Sequence, residues 1–167
     1  MNRNQKKFTK IYDQYVDSIY RFVFIKVNSS EIAEDLTSEV FLRTWQKFKE
    51  KQGDSIENPR AYLYKIARNR IIDFYRERGK TTIVSIEQEK IVLKCDENLE
   101  ENQEKDMNLE KIQKALINLN SDYQDVIILR HIDGLAIKDI AKILDKSNGA
   151  TRVMLHRAME QLKERVS

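Results

Sequence analysis

Apolar residues return every third or fourth position from Phe8 to Val23, as Phe8, Ile11, Tyr12, Tyr15, Val16, Ile19, Tyr20 and Val23. A helical period lays such residues along one face, so this stretch predicts an amphipathic helix of several turns. Asn28-Ser29-Ser30 breaks the pattern with side chains that can cap a helix, and Ile32, Leu36, Val40, Phe41, Trp45 and Phe48 predict the buried face of a second helix. Gln52 to Asn58 reads as a loop. Pro59 stands where a third helix can begin, because the N–H it lacks has no partner in a first turn. That helix buries Leu63, Ile66, Ala67, Ile71 and Phe74 and leaves Arg60, Lys65, Arg68, Asn69, Arg70, Arg76, Arg78 and Lys80 outside.

Near the C-terminus the pattern shortens. Ile137, Ile140, Ala141 and Leu144 follow one helical stripe, Asp145 to Ser147 forms a turn, and Ser147 can cap the next helix. In that helix Thr151, Leu155, Ala158 and Leu162 line the inner face. Asn148, Arg152 and His156 share an outer stripe with Arg157 beside them. A helix, a tight turn and a cationic second helix is the shape that reads a DNA major groove, although basic amphipathic helices also occur as plain solvated faces.

With only four Gly and one Pro in 167 residues, the composition fits an all-α protein. The charge is unevenly spread. Residues 1–80 carry 17 Lys and Arg against 11 Asp and Glu, residues 81–110 carry 3 against 9, and residues 111–167 carry 10 against 7. Two basic blocks therefore flank an acidic one, and basic blocks suit a polyanion that releases counterions on binding. The expected organisation is two small helical domains, 1–80 and 107–167, joined by a flexible acidic linker, 81–106. Within the linker Ile83-Val84 and Ile91-Val92-Leu93 are apolar islands that fit either a strand or a short docking helix.

Enzymatic chemistry finds little support. The carboxylate pairs Glu34 with Asp35 and Asp122 with Asp125 lack a third acid, His or Cys for a metal site, and His131 and His156 stand far apart in sequence. Cys95 is alone in a polar stretch, so no metal, cofactor or disulfide is expected. Residues 1–9 lack the apolar segment of a signal peptide, and no run reaches the roughly 18 apolar residues that a membrane helix needs. The expected setting is the cytoplasm, without membrane insertion. Tyr62, Tyr64 and Tyr75 lie among the cations of the third helix, where stacking on unpaired bases would contribute about 1–3 kcal/mol per base. Core packing with the hydroxyl at the surface accounts for them equally well.

Two blocks carry a family likeness. Ala33-Glu34-Asp35-Leu36-Thr37-Ser38-Glu39-Val40-Phe41-Leu42-Arg43-Thr44-Trp45, followed by Asn58-Pro59-Arg60-Ala61-Tyr62-Leu63-Tyr64-Lys65-Ile66-Ala67-Arg68-Asn69-Arg70, resembles the promoter-melting domain of bacterial RNA polymerase sigma factors. Leu129-Arg130, Gly134-Leu135, Asp139-Ile140-Ala141 and Leu155-His156-Arg157-Ala158 are similar to their helix-turn-helix domain. Length and layout resemble the extracytoplasmic-function class of the sigma-70 family, which lacks the middle domain of larger members.

The resemblance implies a transcription initiation factor that binds core RNA polymerase, directs it to promoter DNA and helps melt the minus-10 region, with no chemistry of its own. It implies polymerase contacts through Asp35, Glu39, Arg43 and Gln46. The loop from Lys51 to Asn58 would capture a flipped minus-10 base, at a cost of a few kcal/mol that single-strand binding must offset. Asn58, Arg60, Lys65, Arg68, Asn69 and Arg76 would hold the melted strand. Asn148, Thr151, Arg152 and His156 would enter the major groove of the minus-35 element, with Arg130, Lys138, Lys146 and Arg157 on phosphates. An anti-sigma factor is the family's commonest control, but no residue here identifies one.

The chain also departs from the family pattern. Ala136 stands where Ser or Thr often caps the first helix of the pair, Asn120 where Pro is common, and Met154 where Arg is frequent. The alternative function is a dimeric helix-turn-helix regulator of duplex DNA, which leaves the block from Asn58 to Arg70 without a role.

Overall fold

The first helix is closed at both ends by asparagine. Asn2 Oδ1 accepts from the backbone N–H of Gln5 at 2.8 Å while Gln5 Oε1 accepts from that of Asn2 at 3.0 Å, a reciprocal cap that starts α1 (Arg3–Val27). The helix therefore begins several residues before the apolar stripe does. At the other end Asn28 takes a left-handed conformation, φ 56°, and its N–H donates to Phe24 O. Ser29 Oγ then accepts from Ile32 N–H, opening α2 (Ser30–Lys51). Asn58 caps α3 (Pro59–Gly79) through Ala61 N–H at 3.1 Å. The computed structural model describes residues 2–51, 56–79 and 111–166, and every element among them is helical.

The chain divides into two units, residues 1–89 and 90–167. In the first, α1, α2 and α3 pack on one another around Ile19, Phe22, Val23, Val40, Leu63 and Ile71, all nearly or fully buried. Phe8 extends this core with a ring cluster, its centroid 5.1 Å from Trp45 and 6.2 Å from Phe48. Burying each such side chain contributes on the order of 1.5–3 kcal/mol. Because Phe8 on α1 meets Phe48 on α2, the start of α1 lies beside the end of α2. Thr44 is buried in α2 with its hydroxyl donating to Val40 O at 2.8 Å, which satisfies it inside the helix.

On α3 one open alternative is decided and one expectation is corrected. Tyr64 is almost fully buried and meets Phe22 edge to face at 5.4 Å, so it belongs to the core and is closed to bases. Arg70, expected outside, is largely buried and reaches α2, where its Nε stands 2.7 Å from Glu39 Oε2. Ile66 and Phe74 are half-buried, and the Arg78 guanidinium lies over the Phe74 ring at 4.7 Å.

The described part of the second unit opens with helical residues 111–117 (α4). Asn120 caps α5 (Ser121–Ile127) through Tyr123 N–H at 2.9 Å, filling the place where proline is usual. Gln124 Nε2 reaches back to Leu119 O at 2.9 Å and secures the corner. Residues Ile128–Ile132 then widen into a π-helical turn, with Asp133 N–H donating to Ile128 O. Apolar periodicity does not reveal this widening. Gly134 follows at φ 71°, where a side chain would be strained.

The helix pair consists of α6 (Ile137–Leu144) and α7 (Asn148–Val166). Ala136 precedes α6 without a side-chain cap, as its identity foretold. Asp145 takes the left-handed turn between the helices at φ 57°, and Ser147 Oγ caps α7 through Ala150 N–H at 3.1 Å. The core is built from Val126, Ile128, Leu129, Leu135, Ile140, Ile143 and Ala158. The acidic segment 81–106, Cys95 and loop residues 52–55 lie outside the described residues.

Candidate nucleic-acid interface

Among the described residues, α2, α3 and α7 each turn to solvent a line of side chains with the same spacing. On α2, Asp35, Glu39, Leu42 and Gln46 fall at i, i+4, i+7 and i+11, with Arg43 alongside. Asp35, Arg43 and Gln46 are exposed, whereas Glu39 is half-exposed and engaged by Arg70. Leu42 was missed by the sequence reading, yet it is 56% exposed in the middle of this otherwise polar stripe. The detectable signal was a leucine on the wrong side of the helical wheel.

On α3 the same spacing joins Lys65, Asn69, Ile72 and Arg76, all exposed, with half-buried Arg68 on the flank. Arg60 is half-buried and projects from the opposite side of the wheel, so the structure does not bring it into this stripe. Asn58 also stands apart, because its Oδ1 is occupied as the cap of α3. Tyr62 is half-buried under the Lys47 ammonium, 4.6 Å from its ring centre. Burial raises its phenol above the ordinary value, Arg43 pulls it back and Glu50 pushes it up. Tyr75 is packed so that its hydroxyl donates to Lys26 O at the end of α1, and burial raises its phenol too, against a lowering by Arg78.

On α7 the outward line is Gly149, Val153, His156 and Glu160, flanked by Asn148 and Arg152 on one side and Arg157 on the other. His156 Nε2 lies 3.1 Å from Glu160 Oε1. Thr151 corrects the sequence expectation. It is fully buried and its hydroxyl donates to Ser147 O at 2.8 Å, so it locks the turn and cannot touch a base. Val153, half-exposed at the centre of the face, was overlooked. Lys138 on α6 and Lys146 in the turn are exposed. Arg130 is exposed as well, but its Nη1 donates to Leu135 O at 2.9 Å and braces the loop after the π-turn.

Among the described residues no group of three His, Cys, Asp or Glu could hold a metal ion, and no helix is long and apolar enough to cross a membrane. What these units offer is a set of exposed helix faces, two of them cationic, one on the second helix of a helix-turn-helix. That defines a two-unit, all-α protein of the DNA-binding helix-turn-helix class.

Comparison with known proteins makes this specific. The Sigma-70 region 2 family matches residues 11–81 and the Sigma-70, region 4 family matches residues 109–162. The chain belongs to the sigma-70 family, in its extracytoplasmic-function class, as a promoter-specific transcription initiation factor that works with RNA polymerase. It is 31% identical over 163 residues to the ECF RNA polymerase sigma factor BldN of Streptomyces coelicolor, covering 93% of this chain but only 58% of that protein. With the RNA polymerase sigma factor YlaC of Bacillus subtilis it shares 26% identity over 166 residues, 99% of this chain and 95% of that one. The fold is shared with the sigma factor RpoE solved in complex with the anti-sigma factor NepR from Bartonella quintana, at a TM-score of 0.72 and 23% identity over 96% of this chain and 97% of that one. It is likewise shared with CnrH in complex with the cytosolic domain of CnrY, at a TM-score of 0.71 and 19% identity over 97% and 88%.

Proposed function

We propose that residues 1–80 bind core RNA polymerase through the α2 face of Asp35, Glu39, Leu42, Arg43 and Gln46, and bind the melted minus-10 strand through α3. Lys65, Arg68, Asn69 and Arg76 hold that strand, with Asn58 and Arg60 at the start of the helix serving the mouth of the loop. Residues 107–167 read the minus-35 element with Asn148, Arg152 and His156, while Arg130, Lys138, Lys146 and Arg157 meet phosphates. Residues 81–106 link the two domains. The polymerase holds the active site, so this chain contributes positioning and no chemistry, and it works in the cytoplasm where polymerase and promoters are.

The observation that carries this reading is the outward line of α7, cationic on both flanks, in a helix that Ser147 caps and Thr151 seats. A helix so presented can place donors on base edges while its neighbours neutralise phosphates. An anti-sigma factor is proposed as the regulator, because the structural neighbour RpoE was solved in complex with one. The test is run-off transcription with purified core polymerase on the host's upstream regions, with and without the protein, at stated salt. New start sites that disappear with Arg68→Ala or Arg152→Ala support the reading. Absence of transcripts, with duplex DNA shifted by a protein dimer, would overturn it in favour of a plain regulator.

A further inference from the structure

Val153 is not among the core residues of the second unit. It is 50% exposed at the centre of the outward line of α7, directly opposite the buried Thr151, Ala158 and Leu162. A β-branched residue is also a weaker helix former than most, so local structure does not favour it there. One turn earlier stands Gly149, with open space where a side chain would lie. Arg152 and His156 border Val153 on the polar side, and Glu160 two turns on brings a negative charge that phosphates avoid. The reading surface is therefore confined to the first turns, and its central side chain is apolar.

The edges of base pairs in a major groove carry hydrogen-bond donors and acceptors and one apolar group, the C5-methyl of thymine. From this match we infer that Val153 reads a thymine methyl in the upstream promoter element and so sets a base preference of this chain. The inference rests on α7 entering the major groove of that element. Gly149, by lacking a side chain, lets the first turn approach closely enough for the short Val153 side chain to reach the methyl. Arg152 and His156 then act on neighbouring bases or phosphates, which fixes the register in which Val153 meets its target.

The test uses the full chain with core polymerase on a promoter fragment identified by run-off transcription. Each thymidine of the upstream element, on either strand, is replaced in turn by deoxyuridine, which removes the methyl and nothing else. One replacement is expected to weaken holoenzyme binding about fourfold, the worth of one buried methyl group. The same replacement has no effect with Val153→Ala, while Val153→Ile retains it. Val153 is exposed, so these variants keep the fold, and matching thermal melts verify that. Uniform tolerance of deoxyuridine, or a sensitivity undiminished in Val153→Ala, overturns the assignment of Val153. If Arg152→Ala still abolishes binding at that element, α7 remains in the groove and only the thymine inference falls. If Arg152→Ala changes nothing, the placement of α7 itself falls and the inference with it.

Discussion

Nε of Arg70 on α3 stands 2.7 Å from Oε2 of Glu39 on α2, and the same guanidinium reaches Asp73 Oδ2 at 3.4 Å. Glu39 therefore ties two helices together while standing on the face proposed to meet the polymerase. The Arg70 side chain is 18% exposed, so losing its partner leaves a charge poorly solvated. Glu39→Ala is expected to lower stability by about 1 kcal/mol, above the range of a fully exposed pair only slightly because Glu39 itself is wet. Thermal melts of Glu39→Ala, Arg70→Met and the double variant measure it. Additive losses would show that the pair does not couple, and any polymerase-binding defect of Glu39→Ala must be corrected for this term.

Leu42 offers a cleaner probe of the polymerase face. It packs on little in the free protein, so Leu42→Ala leaves the melting temperature unchanged. At an interface, an exposed leucine among polar neighbours is the residue that gains most from burial. Competition for core polymerase against a reference sigma factor is expected to drop roughly tenfold with Leu42→Ala, and further with Leu42→Lys. An unchanged competition would remove Leu42 from the interface.

Tyr75 predicts an alkaline weakness. Its hydroxyl donates to Lys26 O, and burial raises its ionisation above the ordinary 10.0. A raised folded-state value means the unfolded chain loses its proton first. The stability that Tyr75 contributes is therefore complete below pH 10 or so and is lost as pH rises through the higher folded value. Denaturant melts should weaken across that window, and Tyr75→Phe should flatten the dependence. At neutral pH the same variant is expected to cost about 1 kcal/mol, since it removes the donor to Lys26 O.

The starts of α2, α3 and α7 were legible because Ser29, Asn58, Pro59 and Ser147 are residues whose chemistry suits a helix start, whereas α6 was legible from its apolar stripe alone. The inner faces were legible because periodicity reports which positions share a side. Partners across helices were not. Arg70 looks like any other cation of α3 until α2 supplies Glu39, and Tyr64 looks like an interleaved aromatic until Phe22 closes over it. Thr151 sat on the inner stripe by spacing, and the family likeness wrongly added it to the DNA contacts; full burial decides between the two. Leu42 and Val153 escaped notice for the opposite reason, since searching an outward face for charges passes over its apolar members. The π-turn at Ile128–Ile132 changes hydrogen bonding without changing composition, so sequence pattern gives no sign of it.

Asp145 holds the turn of the helix pair at φ 57°, ψ 50°. A left-handed conformation costs an ordinary L-residue about 1–2 kcal/mol, less for aspartate, and nothing comparable for glycine. Asp145→Gly is expected to stabilise the second unit by several tenths of a kcal/mol, and Asp145→Ala to destabilise it by about 1 kcal/mol. Denaturant titration of the full chain, followed by a probe in the second unit, tests both signs. If the two variants were equally stable, the backbone at 145 would not be constrained as described.

Gly149 separates folding from recognition. A Cβ there meets no atom within 4 Å, so Gly149→Ala fits the folded protein and removes the entropic cost of glycine in a helix. The isolated chain should gain about 0.5 kcal/mol of stability. The added methyl projects from the outward line of α7, one turn before Val153, where it would hold the helix away from the groove. Binding of holoenzyme to its promoter should therefore weaken severalfold even as the protein becomes harder to unfold. A larger side chain, as in Gly149→Leu, should weaken it further. Stability and affinity rising together in Gly149→Ala would show that the first turn of α7 does not approach DNA closely, and would turn attention to the flanks held by Arg152 and Arg157.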